Sequence, residues 1–293
     1  MLEVSVGKLK LKNPLILASG ILGSYSSSLN LISRHAGAVV TKSVGIKESK
    51  GYRNPVISTW KHGLLNAIGL ANVSADNFSK ELERFKKLCP LIVSLYAQSP
   101  EEFSRLVKKF PMADAFEINL SCPHVKGYGA NLVRDKELVE EILRKIRKNS
   151  RKPFFVKFPP SPDIIELGRI AEECKADGVV VINTVRGLRI DIKTGRPLLS
   201  NVFGGISGEA IKPIALKHIW DLYEEIKLPI IGVGGVTTYE DVIEFIMAGA
   251  TAIQIGSAFF YSYKIIKSLK ESLISFARVH GPLASLIGLS HKT

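Results

Sequence analysis

The chain has 293 residues, 46% of them hydrophobic and 23% charged, a balance that builds a buried core and excludes a wholly disordered chain. Lys and Arg number 40 against 27 Asp and Glu, a net charge of +13 that attracts phosphates and acidic partners without choosing among them. The three cysteines, Cys89, Cys122 and Cys174, are odd in number and sparse, which excludes a disulfide framework; no CxxC pair marks a zinc site, so no metal is expected. The N-terminal MLEVSVGKLKLKNP has no continuous apolar stretch of the kind a signal peptide needs, and no apolar run is long enough to span a bilayer. A reducing cytoplasm is the expected compartment.

In chain order, LEVSVGKLKL predicts a hairpin turning at Gly7. Eight short apolar runs bounded by turn residues then predict strands: 14–19, 38–42, 91–96, 115–121, 154–158, 178–184, 229–234 and 252–257. Most are apolar on both faces, as a parallel sheet under helices requires. Between them lie segments of helical period: 28–35, a helix opening at Asp76 as N-cap and running toward residue 88, then 99–110, 135–148, 162–175, 208–227, 238–249 and 259–277. Eight strands, each followed by a helix, with no spare element and no linker, predict a single (β/α)8 TIM barrel over residues 1–293 rather than an open doubly wound sheet. The hairpin is expected to plug one end. Two connections, Ser43 to about Ala75 and Val185 to Ser207, exceed ordinary βα loops; both follow strands, which puts them on the carboxyl rim where barrel active sites form.

Four features on that rim carry chemistry. Cys122 in NLSCPHVKGYG follows the fourth strand, and Pro123 turns the chain there, so its thiol is a candidate nucleophile or base. Cys89 and Cys174, at helix ends, read as small buried hydrophobes. Gly234-Gly235 and Gly256-Ser257 follow the last two strands, where backbone N–H groups cradle phosphates in barrels. Lys42 ends one strand and can reach solvent, whereas Lys157 lies inside FFVKF and needs a buried anion. Asn66, Asn119, Asn183 and Thr184 bring amide and hydroxyl groups to the same rim. A phosphate cradle, two lysines, several amides and a thiol suit a flavin mononucleotide (FMN) enzyme acting on a small planar acid.

The chain resembles the catalytic subunit of class 1 dihydroorotate dehydrogenases, most closely class 1B. The resemblance runs through NPLILASG, TKS, LLNAIGL, NLSCP, VKFPP, VINT, GLRIDIKTGRPLLSNVFGGISGEAIKP, IIGVGGV and IQIGSA, in order and over nearly the whole chain. It implies Cys122 as the base that takes a proton from C5 of dihydroorotate while hydride leaves C6 for FMN. It implies orotate contacts from Lys42, Asn66, Ala67, Ile68, Gly69, Leu70, Asn119, His124, Asn183 and Thr184. FMN contacts are implied for Ser19, Lys42, Ser43, Asn119, Lys157, Ile182, Gly208, Gly234, Gly235, Gly256 and Ser257, with Lys157 at the flavin N1/O2 edge. Class 1B enzymes pass electrons to a second subunit carrying FAD and an iron–sulfur cluster; three scattered cysteines do not ligate a cluster, so it belongs to that partner. A homodimer, or a heterotetramer with the partner, is implied, with no nucleic acid and no membrane.

Three positions depart from the family pattern. His124 stands where Asn usually follows Cys-Pro, Ser94 where the third strand usually carries Asn, and the loop after Lys126 lacks a double glycine. Two other readings fit parts of the sequence: a tRNA dihydrouridine synthase-like FMN enzyme, which has a separate helical RNA-binding domain, and a non-catalytic barrel that binds a phosphorylated ligand.

Overall fold

The computed structural model describes residues 1–120 and 129–292, with residues 129–131 described by their backbone alone. Eight parallel strands close into a barrel: β1 (Leu15–Leu17), β2 (Ala38–Val40), β3 (Leu91–Leu95), β4 (Ala115–Asn119), β5 (Phe154–Phe158), β6 (Gly178–Val181), β7 (Ile230–Val233) and β8 (Ala250–Ile255). Each pairs with its neighbours in sequence, and β8 returns to β1 through Ile253 opposite Leu15. The eight α-helices among the described residues are α1 (Ser26–Ser33), α2 (Ala75–Leu82), α3 (Pro100–Lys109), α4 (Lys136–Asn149), α5 (Ile164–Glu173), α6 (Lys212–Glu225), α7 (Tyr239–Met247) and α8 (Ile265–His280). The (β/α)8 barrel expected from the alternation of elements is the observed one.

The strand runs are apolar throughout, yet the period of two survives inside them. Leu15, Leu17, Val39, Leu91, Val93, Phe116, Phe154, Val156, Val179 and Ile253 belong to the cluster shared with the helices. Their alternates Ile16, Ala38, Val40, Ile92, Ala115, Phe155, Val180, Ile231 and Ala252 form a second cluster that fills the lumen. The N-terminal hairpin, Val4–Val6 paired with Leu9–Leu11, adds Val4, Val6, Leu9 and Leu11 to that lumen cluster. Gly7 sits at the turn with φ +56°, and a Cβ there would lie 2.6 Å from the carbonyl oxygen of Asp177, just before β6. The plug therefore seals the amino end of the barrel and leaves the carboxyl end to the site.

The two long connections do not act separately. Ile57–Trp60 and Gly63–Asn66 form a hairpin from the first, Val185–Gly187 and Gly204–Ser207 come from the second, and all four join one antiparallel sheet. Its central pairing sets Gly205 opposite Asn66 and Ile206 opposite Leu65. Arg189 ties the layers by donating to Ser58 Oγ at 3.0 Å and to the Thr59 carbonyl at 2.7 Å.

Element ends differ from the sequence pattern in identifiable ways. Helix α2 opens at Ser74, not Asp76; Ala75 is buried against the core, and the Asp76 side chain pairs with Lys109 instead of capping. The same helix stops at Leu82 because Asn30 Oδ1 accepts from Lys86 N at 2.8 Å and Asn30 Nδ2 donates to the Arg84 carbonyl at 3.2 Å, drawing the chain toward β3. The helix expected from Phe259 begins at Ile265; Ser257–Phe260 forms a separate 3-10 turn on the rim. Residues 209–211 are likewise a 3-10 turn ahead of α6. Among the described residues no helix is long and apolar enough to cross a membrane.

Candidate active site

Strand parity builds the site. One step above the lumen residues, the next inward positions are Ala18, Lys42, Ser94, Glu117, Lys157, Ile182, Val233 and Gln254. The apolar lumen thus gives way to a largely polar layer at the carboxyl end. Above it opens a cavity of about 240 Å³ between the barrel mouth and the insertion sheet. Ser19, Lys42, Ser43, Asn119, Lys157 and Ile182 line it from the strand ends, and Asn66, Ile68, Gly69 and Leu70 from the first insertion. Asn183, Thr184, Gly234, Gly235, Gly256 and Ser257 complete the wall. Of the described residues for which the resemblance implies substrate or FMN contacts, Ala67 and Gly208 stand outside that lining. Ala67 is fully buried beside Leu65 and Leu199, and the Gly208 carbonyl lies behind Gly235. Cys122 and His124 lie outside the described residues.

Lys157 is 5% exposed, and the anion its position demands is Glu117, at 0%, from the neighbouring strand. Lys157 Nζ lies 3.7 Å from Glu117 Oε1 and donates to Gln254 Oε1 at 3.1 Å. Gln254 Nε2 donates to Glu117 Oε2 at 2.6 Å, and Ser94 Oγ donates to Glu117 Oε1 at 3.1 Å. Ser43 Oγ meets Ser94 Oγ at 2.9 Å, Asn119 Nδ2 at 3.0 Å and Ser19 Oγ at 3.2 Å. Lys42 is half-buried at the cavity wall. Glu117 and Gln254 escaped the sequence reading. The signal was their parity: each stands two residues beyond a small inward residue, Ala115 and Ala252, with apolar neighbours on both sides.

The cavity-lining loop of the first insertion is held under strain. Leu70 has φ +56°, a left-handed conformation that costs a non-glycine residue of order 1 kcal/mol. Its carbonyl accepts from Asn72 Nδ2 at 3.0 Å and from Tyr96 Oη at 3.3 Å, and Asn72 Nδ2 also donates to Tyr96 Oη at 2.5 Å.

The two glycine turns form a cradle. Gly235 has φ +80°, and a Cβ there would lie 2.8 Å from Lys212 Cβ and 2.9 Å from the Gly208 oxygen, so only glycine brings the backbone this close to the start of α6. Ser257 opens the 3-10 turn whose first N–H groups have no partner within the turn. Backbone N–H groups in turns after strands seven and eight suit the phosphate of a mononucleotide. The polar floor beneath suits a planar heterocycle with donors and acceptors, so the residues present fit a phosphorylated flavin.

Asp241 braces this cradle from behind. Its Oδ2 accepts from Thr237 N and Thr238 N, both at 2.8 Å, and Lys212 Nζ donates to Oδ1 at 2.7 Å. Burial pushes the Asp241 carboxyl up, but the Lys212 ammonium and the two backbone donors outweigh it together and hold the group below its ordinary value. Lys212 is raised, chiefly by its hydrogen bond to Asp241 and then by Glu244. A carboxyl depressed on folding stabilises above its unfolded value, about 3.9, and loses that contribution as pH falls through the folded value. Asp241→Asn is therefore expected to cost about 1–3 kcal/mol at neutral pH. In urea unfolding that cost shrinks as pH drops below about 4. Cys89 and Cys174 are buried; burial pushes the Cys89 thiol up to about 12, the property of an inert packing group.

The chain matches the family described as dihydroorotate dehydrogenase over residues 1–276. It is 52% identical over 295 residues to "Dihydroorotate dehydrogenase B (NAD(+)), catalytic subunit" of Archaeoglobus fulgidus, covering 99% of each chain. Proteins of the same description from Pyrococcus abyssi and Methanocaldococcus jannaschii are 44% and 42% identical, over 100% of this chain and 100% and 99% of theirs. A barrel whose polar floor, glycine cradle and two lysines meet at one mouth, matched end to end by these relatives, belongs to the dihydroorotate dehydrogenase family.

Proposed function

We propose that this chain is the catalytic subunit of a class 1B dihydroorotate dehydrogenase that oxidises (S)-dihydroorotate to orotate in pyrimidine biosynthesis. As in its family, the cofactor is a flavin, and we assign it as FMN. The observation that carries the reading is the convergence of sixteen of the named, described positions, from seven strand ends and the first insertion, on one cavity.

Bound there, FMN supplies the acceptor for the hydride that leaves C6 of the substrate. This chain's residues do the rest. The Gly234–Gly235 and Gly256–Ser257 turns hold the phosphate, with Asp241 keeping the first turn in shape. Lys157 offers its ammonium to the flavin edge where negative charge collects, a fixed cation that is itself almost wholly buried. Lys42, Asn66, Asn119, Asn183 and Thr184 hold the flat acid by its carboxylate and ring amides. The main-chain groups of Ile68, Gly69 and Leu70 close over it. Cys122 takes the C5 proton as base, and His124 donates one hydrogen bond where an amide is usual in the family. Residues 1–293 act as one FMN-binding barrel, in the cytoplasm, as a homodimer or with a partner subunit that carries FAD and the iron–sulfur cluster.

The test is anaerobic. The purified holoprotein is expected to show flavin absorbance that bleaches on mixing with dihydroorotate. A yellow protein unmoved by dihydroorotate whose flavin, once reduced with dithionite, is reoxidised by tRNA would transfer the assignment to a dihydrouridine synthase. A colourless protein that takes up no FMN would leave a ligand-binding barrel.

A further inference from the structure

Glu117 is a fully buried carboxylate for which the reaction above has no role. It does not line the cavity, yet most of the polar floor hangs from it. An ionised carboxylate only accepts, and this fixes the sense of each hydrogen bond above it. Ser94 spends its one proton on Glu117 at 3.1 Å, so across the 2.9 Å contact Ser43 must be the donor. Ser43 has then spent its proton as well, so Ser19, at 3.2 Å, and Asn119, at 3.0 Å, both donate to it. On the other side Gln254 must turn its NH2 to Glu117, 2.6 Å away, which leaves its carbonyl oxygen toward the Lys157 ammonium at 3.1 Å. Five cavity-lining groups, Ser19, Ser43, Asn119, Lys157 and Gln254, thus take their orientation from one hidden charge.

Stability does not account for such a group. A buried ion pair is often replaceable by apolar residues at no net cost, because desolvating the two charges offsets their attraction. The charge arithmetic points elsewhere. Lys157 faces the cavity with a positive charge, and 3.7 Å behind it Glu117 compensates much of that charge.

We propose that Glu117 is a positioning residue whose carboxylate orients the hydrogen bonds of the cavity floor and tempers the positive charge of Lys157, and so sets the reduction potential of the bound flavin. The proposal rests on the FMN reading above. A flavin that gains electrons gains negative charge, so a less compensated Lys157 favours the reduced form.

The experiment is a redox titration of the holoenzyme with Glu117→Gln and Glu117→Asp. The Gln variant keeps the size and removes the charge. Its midpoint potential is expected to rise by at least a tenfold change in the reduced-to-oxidised ratio, about 30 mV for a two-electron couple. The Asp variant keeps the charge one methylene farther back, and its potential is expected to lie between wild type and Gln. An unshifted or lowered potential in either variant overturns the proposal, and the Asp variant decides alone if the Gln variant does not fold. A merely structural Glu117 would lower the melting temperature of both variants and leave their potentials at the wild-type value. A wild-type chain that binds no FMN would remove the FMN reading and this proposal together; unshifted variants of an FMN-loaded enzyme remove this proposal alone.

Discussion

In the Cys122→Ala variant, reduction of bound FMN by dihydroorotate is expected to slow by about 10²–10⁴-fold, the usual contribution of a positioned general base. FMN content is expected to stay at the wild-type level, because the groups proposed to hold the cofactor lie on the strand ends and glycine turns. Anaerobic stopped-flow measurement of the flavin absorbance separates the two quantities. The wild-type rate is expected to climb with pH toward the thiol value, about 8.5 if its surroundings leave it unperturbed. The sign follows from the chemistry: a thiol acts as base through its thiolate, so with Cys122 in that role the thiolate fraction and the rate rise together. Cys122→Ser is expected to remain slow across that range, since a hydroxyl is a far weaker base at neutral pH. Wild-type turnover in the alanine variant would remove Cys122 from the mechanism.

Lys157→Ala is expected to act on stability as well as chemistry. It leaves Glu117 buried with Gln254 and Ser94 as donors but without a cation. Breaking one side of a buried pair costs about 3–5 kcal/mol, much of it the penalty of the charge left behind. Urea unfolding of the apoprotein reads that loss directly. FMN affinity is expected to fall too, since the ammonium faces the cavity. The double variant Lys157→Met with Glu117→Gln tests the cause: with the stranded charge gone, most of the stability is expected to return while flavin reduction stays impaired. If the double variant is no more stable than Lys157→Ala alone, the buried-charge explanation fails.

The two variants probe parts of the site that differ in how far the sequence reveals them. Cys122 is legible as local chemistry, a thiol before a proline at the exit of a strand, and its function still has to be measured in solution. Lys157 is legible as a problem: an amine in the run FFVKF has apolar neighbours on both sides and must be answered by an anion. Which anion is not local information. Glu117 lies on the neighbouring strand, and the pairing of Asn119 with Lys157 in the β4–β5 register brings the two residues together. The Gly234–Gly235 turn is legible because its positive φ suits glycine alone, whereas Gly256, at φ −116°, is marked only by its place after the last strand. The role of Asp241 behind the first turn is not legible, because it depends on where the start of α7 meets Lys212 of α6.

The eight strands, the helices between them and the hairpin at Gly7 follow from the chain itself, because short apolar runs, period and turn residues act over a few neighbours and leave a local mark. The ends of α2 and α8 do not follow, since Asn30 and the rim turn at Ser257–Phe260 override the local period. The union of the two insertions into one sheet is likewise a tertiary fact. It joins Asn66 to Gly205, 139 residues apart, and neither hairpin carries a pattern that names its partner. The sequence by itself determined the barrel and most of the groups at its mouth. Only closure of the barrel decided which inward layer is polar, which carboxylate answers Lys157 and which way the floor's hydrogen bonds run, because register between strands converts parity along one chain into contact across the lumen.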